Sequence, residues 1–140
     1  MEYFDTHMHL DDEKFDEDRE QVVQKMQNEG VAKCINMGCN IETSKKAIEL
    51  SKKYDFIYSA VGIHPEEIPQ KEEELWKSIE KIEELALSIE KIVAIGEIGL
   101  DYYWRNDNKE IQKEAFIKQI ELANKLNLPI SIHSREAIDD

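Results

Sequence analysis

The sequence predicts an α/β fold built from parallel βα units. Two kinds of segment, and the order in which they occur, lead to this prediction. Short runs rich in β-branched and aromatic residues alternate with longer stretches whose apolar residues recur at helical spacing, and this alternation covers the chain from start to finish. Strands that alternate with helices form parallel sheets with right-handed crossovers. Five strands are predicted, and no linker or low-complexity tract divides residues 1–140, so we expect one domain.

The first βα unit begins with a predicted strand over residues 2–9. Val22, Val23 and Met26 then recur at helical spacing within a predicted helix over residues 15–28, and Gly30 marks its end. The second unit has a strand over 32–37.

Gly38 ends that second strand, and a helix follows over residues 42–53. The third strand, over residues 56–61, runs into the sequence Gly-Ile-His-Pro at 62–65. A long acidic helix is predicted over residues 71–88, where apolar residues again recur at helical spacing.

The last two units follow the same pattern. A tightly apolar fourth strand covers residues 92–97, and a helix covers residues 109–126 after an aromatic loop. The fifth strand covers residues 130–133, and the sequence predicts that a fifth helix begins at Arg135.

The chain of 140 residues is strongly acidic. It carries 18 Lys and Arg against 31 Asp and Glu, which gives a formal charge of −13. This charge argues against a broad basic footprint for nucleic acid. The negative charge does not exclude an enzyme that acts on nucleic acid, because a bound divalent cation changes the local field in a cleft.

Cys34 and Cys39 match no zinc-ribbon or redox motif, and we expect Cys34 to be a small core residue. The N-terminus carries no signal-peptide pattern, and no apolar run approaches the ~18 residues of a membrane span. We therefore expect a cytoplasmic protein with no membrane partner.

A His-x-His pair at His7 and His9 lies in the first predicted strand. Because side chains alternate along a strand, both imidazoles share one face with Asp5. Neutral imidazole is a common ligand for transition metals. The pair predicts two metal ligands, with a hydrogen-bonded pair inside the sheet as the alternative.

Four predicted strands carry a histidine or glutamate at their carboxyl ends: His9, His64, Glu97 and His133. In parallel sheets, whether barrels or open sheets, functional groups gather at this edge. We expect His7, His9, Glu97 and His133 to bind one or two divalent ions, because a buried carboxylate must be paired or bound to metal. A structural ion pair is the alternative for Glu97.

Other residues receive supporting roles. Asp5 is expected to orient a ligand histidine, with a structural salt bridge as the alternative. His64 is expected to contact substrate or donate a proton, unless it is an ordinary loop histidine. Arg135 is expected to hold an anion at the start of a helix, or else to form a surface ion pair. Asp101 is expected to order the loop near the site, or to be a plain turn residue.

Histidines and a carboxylate around one or two dications suit hydrolysis. A bound metal lowers the pKa of water towards neutrality and polarises the ester or amide oxygen. Two ions ~3.5–4 Å apart suit phosphodiester cleavage especially well.

Four segments resemble the signature blocks of the TatD-related hydrolases, metal-dependent deoxyribonucleases of the amidohydrolase superfamily. They are residues 4–10, 62–65, 95–102 and 132–137, in the family's order and spacing. The resemblance implies a TIM barrel, two divalent ions (magnesium, manganese or zinc) and DNA as substrate, often with 3′-to-5′ exonuclease action.

Carried onto this sequence, the resemblance makes His7 and His9 ligands of one ion, Glu97 a bridging ligand with a catalytic role, and His133 a ligand of the second ion. His64 becomes a further site residue. The family supplies another histidine and a late aspartate beyond the block that holds His133.

The chain departs from the family in length. A full (β/α)8 barrel needs ~250 residues, and five predicted strands leave the sheet open. We therefore expect the N-terminal part of such a barrel, with low activity alone. Two alternatives stay open: an amidohydrolase that cuts C–N or carboxylic ester bonds, and an inactive half-barrel that self-associates through its open edge.

Overall fold

The computed structural model describes residues 1–140 and contains one five-stranded sheet. The strands are all parallel and lie in sequence order across the sheet. They are β1 (Tyr3–Met8), β2 (Val31–Met37), β3 (Ile57–Val61), β4 (Ile92–Asp101) and β5 (Ile130–Arg135). The sheet curls into a half-barrel, so the predicted incomplete barrel of parallel βα units is confirmed.

One α-helix follows each of the first four strands. The helices are α1 (Arg19–Asn28), α2 (Ile41–Lys53), α3 (Glu72–Ala86) and α4 (Lys109–Leu126). Two 3₁₀ turns, Glu13–Phe15 and Pro65–Glu67, lie in the loops after β1 and β3. The chain contains no helix that is both long and apolar enough to cross a membrane.

Local sequence explains where the helices begin and end. Asn40 caps α2 by accepting a hydrogen bond from the backbone of Thr43, whose side chain accepts one in return from the Asn40 backbone. Three glutamates occupy the first turn of α3, where the helix dipole favours negative charge. Asn127 ends α4 in the left-handed conformation, which asparagine tolerates well.

The core fills both sides of the curled sheet. Thirteen buried residues form the largest cluster, in which α3 and α4 pack against β3 and β4. Met37, Ala60 and Ala94 form a small cluster on neighbouring strands. Cys34 is fully buried in a third cluster with Leu10 and Val23, as predicted.

Two predictions about the β4–β5 region are wrong. β4 does not end at Glu97 but continues through Asp101, because β5 pairs with it as far as Arg135. The predicted helix at Arg135 does not form, since Arg135 still belongs to β5 and Glu136 turns the chain with a φ of 53°. Glu97 therefore lies inside β4 and not at its carboxyl end.

Candidate metal centre

A cavity of about 340 Å³ opens at the carboxyl edge of the sheet. Four strands or the loops after them contribute its histidines and Glu97. The lining residues are His7, His9, Cys39, His64, Glu66, Glu67, Glu97 and His133. The structure thus brings together all four histidines of the chain, which lie up to 126 positions apart in sequence, numbered 7 to 133.

His7, His9 and Glu97 form a triangle of ligand atoms. The Nε2 atoms of His7 and His9 lie 3.2 Å apart, and they lie 3.3 and 3.5 Å from Oε2 of Glu97. Neighbouring ligands of an ion with bonds of ~2.1 Å lie ~3.0–3.4 Å apart in octahedral or tetrahedral geometry. The triangle therefore fits a divalent ion, and its two imidazoles and one carboxylate are suitable donors.

The second oxygen of Glu97 faces a different set of groups. Oε1 lies 3.1 Å from Nδ1 of His133 and 3.9 Å from Nε2 of His64. One carboxylate therefore faces two histidine sets, with His7 and His9 on one side and His64 and His133 on the other. This is the arrangement that a bridging ligand requires.

Asp101 determines which nitrogen of His133 is free. Burial would raise the pKa of Asp101, but hydrogen bonds from the Trp104 backbone and from His133 keep that pKa below its usual value. The ionised carboxylate can only accept, so Nε2 of His133 donates to it at 2.8 Å. Nδ1 is then the nitrogen that faces Oε1 of Glu97, and it is the nitrogen that a metal ion would bind.

His64 has the opposite arrangement. Its Nδ1 accepts a hydrogen bond from the backbone N–H of Glu66 at 3.1 Å, so the proton of the neutral ring lies on Nε2. Burial, followed by the charge of His133, lowers the pKa of His64 and favours this neutral form. Nε2 of His64 therefore faces the cavity as an N–H donor, which is unsuited to binding a metal.

The remaining pKa shifts show how strongly Glu97 and the histidines interact. Burial would raise the pKa of Glu97, but the hydrogen bond from His9 and the nearby charges of His64 and His7 lower it to about 2. Contacts with Cys39 and then with Glu97 raise the pKa of His9 to about 10. Glu97 is thus a carboxylate, and without metal His9 carries its partner charge.

Two buried glutamines of α4 hold the backbone beside the cavity. Gln119 accepts from the N–H of Ile63 at 2.7 Å and donates to its carbonyl at 3.1 Å, which fixes the loop that carries His64. Gln112 makes the same pair of bonds with Asp101, at 2.8 and 3.0 Å. Because they lie seven positions apart, both glutamines project from the same face of α4.

Two predicted site residues lie elsewhere than expected. Asp5 is exposed, and its carboxylate accepts from the backbone N–H of His7 at 3.0 Å, not from an imidazole. Arg135 does not sit at a helix start. Its guanidinium stacks 3.9 Å from the ring centroid of Tyr103 instead, outside the residues that line the cavity.

Three residues at or beside the cavity were not predicted from the sequence: Cys39, Gln112 and Gln119. Cys39 matches no metal or redox motif in the sequence, yet it follows β2 and lines the cavity. Its position after Gly38 at a strand end was the available signal. The glutamines gave a weaker signal, polar residues on the apolar face of a helix, which does not reveal their backbone partners.

The comparisons with known proteins agree with this geometry. The profile of the family described as TatD related DNase matches residues 4–140. The chain is 47% identical over 139 residues to an uncharacterized metal-dependent hydrolase, YabD, of Bacillus subtilis, covering 98% of this chain and 52% of the relative. It is 35% identical over 136 residues to the 3′-5′ ssDNA/RNA exonuclease TatD of Shigella flexneri, covering 96% of this chain and 50% of that protein.

Solved structures give the same result. The TatD homologue YJJV of Escherichia coli superposes with a TM-score of 0.86 at 31% identity, covering 98% of this chain and 52% of that one. The chain thus spans about half the length of the curated relatives it matches. The profile match over nearly every residue shows that this chain belongs to the TatD-related DNase family.

Proposed function

We propose that residues 1–140 form the N-terminal part of a single barrel that hydrolyses phosphodiester bonds of DNA with divalent metal ions. The observation that carries the proposal is Glu97, whose two oxygens face two separate histidine sets. One carboxylate that serves two ions is a feature of two-metal sites, and such sites suit phosphodiester cleavage. The name of the Shigella flexneri relative gives independent support for a nuclease.

In this proposal His7, His9 and Glu97 hold one ion, and Glu97 with Nδ1 of His133 contributes to a second. The ions are magnesium, manganese or zinc, and when bound they supply an activated water and charge neutralisation at the phosphate. The protein's part is to fix the donors. Ser131 contacts the outer nitrogen of His7 at 3.4 Å, and Asp101 fixes His133.

His64 is proposed to bind substrate and donate a hydrogen bond rather than to hold metal. Its Nε2–H faces the cavity, so the neutral ring can donate a hydrogen bond to a phosphate oxygen or to the leaving oxygen. We expect His64→Ala to lower kcat by about 10²- to 10³-fold, the range for one lost hydrogen-bond donor to the transition state, while metal affinity is retained. A matching loss of metal affinity would make His64 a ligand.

The decisive test uses the protein in its full natural length. A single-stranded oligodeoxynucleotide labelled at its 5′ end is incubated with Mg²⁺ or Mn²⁺, and products are resolved by length. We expect a ladder shortened from the 3′ end, lost with chelator and with Glu97→Gln. The exposed Glu29→Gln is the matched control and keeps the ladder. An intact oligonucleotide at saturating metal would contradict the proposal.

The same ligand set also serves hydrolysis of C–N or carboxylic ester bonds. A panel with bis(p-nitrophenyl) phosphate, p-nitrophenyl acetate and simple amides separates the reactions under identical metal conditions. Metal-dependent turnover of the phosphodiester above the others supports the nuclease. Turnover of the amides or the acetate alone would replace it with an amidohydrolase.

For residues 1–140 alone we propose self-association through the open sheet. Large apolar side chains are exposed on both edge strands: Tyr3 and Phe4 on β1 are 54% and 59% exposed, and Ile132 on β5 is 56% exposed. Unpaired strand edges and apolar surface together favour pairing with another chain.

A further inference from the structure

Two neighbouring aromatic rings and an arginine form an exposed cluster beside the cavity. Tyr103 and Trp104 are 48% and 59% exposed, and their rings meet edge to face with centroids 4.6 Å apart. The Arg135 guanidinium lies 3.9 Å from the Tyr103 centroid and 5.3 Å from that of Trp104. We call these three residues the aromatic platform. Exposed rings with a stacked guanidinium are the elements on which proteins stack nucleobases.

The platform is attached directly to the candidate metal centre. Oδ1 of Asp101 accepts hydrogen bonds from the backbone N–H groups of Tyr103 and Trp104, at 3.0 and 2.9 Å. Oδ2 of the same carboxylate accepts from His133. Arg135 is paired with Asp101 in the sheet register. The buried carboxylate of Asp101 therefore holds both the backbone that carries the two rings and the imidazole of His133.

Charge around the cavity favours this side for a polyanion. The loop after β1, residues 9–18, contains a single lysine and six carboxylates: Asp11, Asp12, Glu13, Asp16, Glu17 and Asp18. Glu66 and Glu67 line the cavity on the β3 side. Arg135, by contrast, stacks on rings and leaves its N–H groups unpaired with any carboxylate. Carboxylates therefore repel a nucleic-acid strand near the ends of β1 and β3, whereas Arg135 on β5 supplies a cation.

We propose that the aromatic platform is a nucleobase subsite, which binds the base next to the scissile phosphate of a single strand. The base stacks on Trp104, whose ring is the more exposed, while Arg135 contacts a neighbouring phosphate. Tyr103 stacks against the guanidinium and holds it in position. The proposal rests on the proposed nuclease function and adds the residues that hold the substrate's base.

Binding is measured by tryptophan fluorescence on the protein in its full natural length, with metal removed so that no cleavage occurs. The difference in fluorescence between this protein and its Trp104→Phe variant isolates the signal of Trp104 from that of every other tryptophan, including Trp76. Oligodeoxythymidylate is expected to quench this signal saturably, whereas an abasic oligonucleotide of the same length is not. Equal quenching by both, or by neither, would overturn the subsite.

Substitutions then identify the contacts, with affinity measured by anisotropy of a labelled oligodeoxythymidylate. Trp104→Ala is expected to weaken binding about 5- to 100-fold, the range for one lost base stack, while Trp104→Phe keeps most of the affinity. Leu87→Ala, which removes an exposed apolar side chain after α3, is the control and leaves affinity unchanged. Unchanged affinity in Trp104→Ala would overturn the stacking contact.

The phosphate contact has its own readout. Arg135→Ala is expected to reduce the slope of log affinity against log salt by about 0.7, the value for one lost contact to a single strand. An unchanged slope would overturn that contact. The outcomes also separate the two proposals. Base-dependent quenching without any hydrolysis supports the subsite and contradicts only the nuclease, whereas hydrolysis without quenching overturns only the subsite.

Discussion

Nε2 of His133 donates a hydrogen bond to the buried carboxylate of Asp101 at 2.8 Å, and this bond leaves Nδ1 as the nitrogen that faces Glu97 and is available to a metal ion. The pair has the geometry of a carboxylate–histidine–metal relay, in which the outer carboxylate fixes both ring orientation and tautomer. The same carboxylate orders the loop that carries the aromatic platform.

Asp101→Asn is expected to weaken metal binding about 10- to 100-fold, the usual cost of losing a partner of this kind. If the asparagine oxygen keeps the backbone bonds, its amide N–H₂ faces Nε2 and moves the imidazole proton to Nδ1, where it blocks the ligand position. Isothermal titration with Zn²⁺ measures the affinity. The exposed Asp139→Asn serves as control, and equal affinities for the two variants would contradict the relay.

Metal binding is expected to release a proton at neutral pH. The pKa of His9 is raised to about 10 in the metal-free protein, so His9 is protonated at pH 7 and must lose that proton to bind metal. Affinity should therefore rise about tenfold per pH unit between pH 7 and 9, and titrations in buffers of different ionisation heat should give about one released proton. A metal affinity that does not change between pH 7 and 9 would show that His9 loses no proton when the metal binds.

Gln119→Met tests the two hydrogen bonds by which Gln119 holds the Ile63 backbone beside His64. We call this pair of bonds the clamp. The substitution keeps the volume but leaves the buried N–H and carbonyl of Ile63 without partners, which costs about 1–3 kcal/mol for an unsatisfied buried group. Urea unfolding should show this loss of stability. NMR spectra of the folded protein should show a changed environment of the His64 ring. Gln24→Met, on the exposed face of α1, is the control. Equal stability of the two variants would count against the clamp.

Ile132→Lys tests the open edge. The side chain is 56% exposed on β5, the last strand of the sheet, and a lysine there discourages strand pairing. Sedimentation velocity on residues 1–140 is expected to show concentration-dependent association that this substitution reduces. Leu87→Lys, at an exposed position after α3, should leave it unchanged. A monomer at every concentration would remove the proposed self-association.

The fold and the meeting of the four histidines with Glu97 followed from sequence because both depend on periodicity. Alternating strand and helix patterns determine the order of parallel strands, and parallel strands bring their carboxyl ends to one edge. Residues at those ends therefore meet, whatever the details of the helices. The roles of the individual ligands stay predictions.

The β4–β5 details could not be read from the sequence. Gly99 and Asp101 look like turn residues, yet they lie inside β4. Gly99 has a φ of 146°, and a Cβ there would lie 2.0 Å from the carbonyl oxygen of His133. Glycine thus allows close approach of the two strands, and this tertiary requirement carries no local signature.

Arg135 failed as a helix-start residue for a related reason. Pairing with β4 keeps residue 135 extended, and this long-range pairing overrides the local helix pattern. Its contact with Tyr103 joins residues 32 positions apart, numbered 103 and 135, and depends on a loop whose conformation is fixed by Asp101. Neither partner could be identified before the sheet register was known.

Anomalous diffraction from crystals grown with Mn²⁺, recorded at the manganese absorption edge, tests the metal centre most directly. We expect a peak between His7, His9 and the Glu97 carboxylate, and its loss in crystals of Glu97→Gln. Crystals in which Mn²⁺ binds only at other surfaces, with no peak among these three side chains, would contradict it.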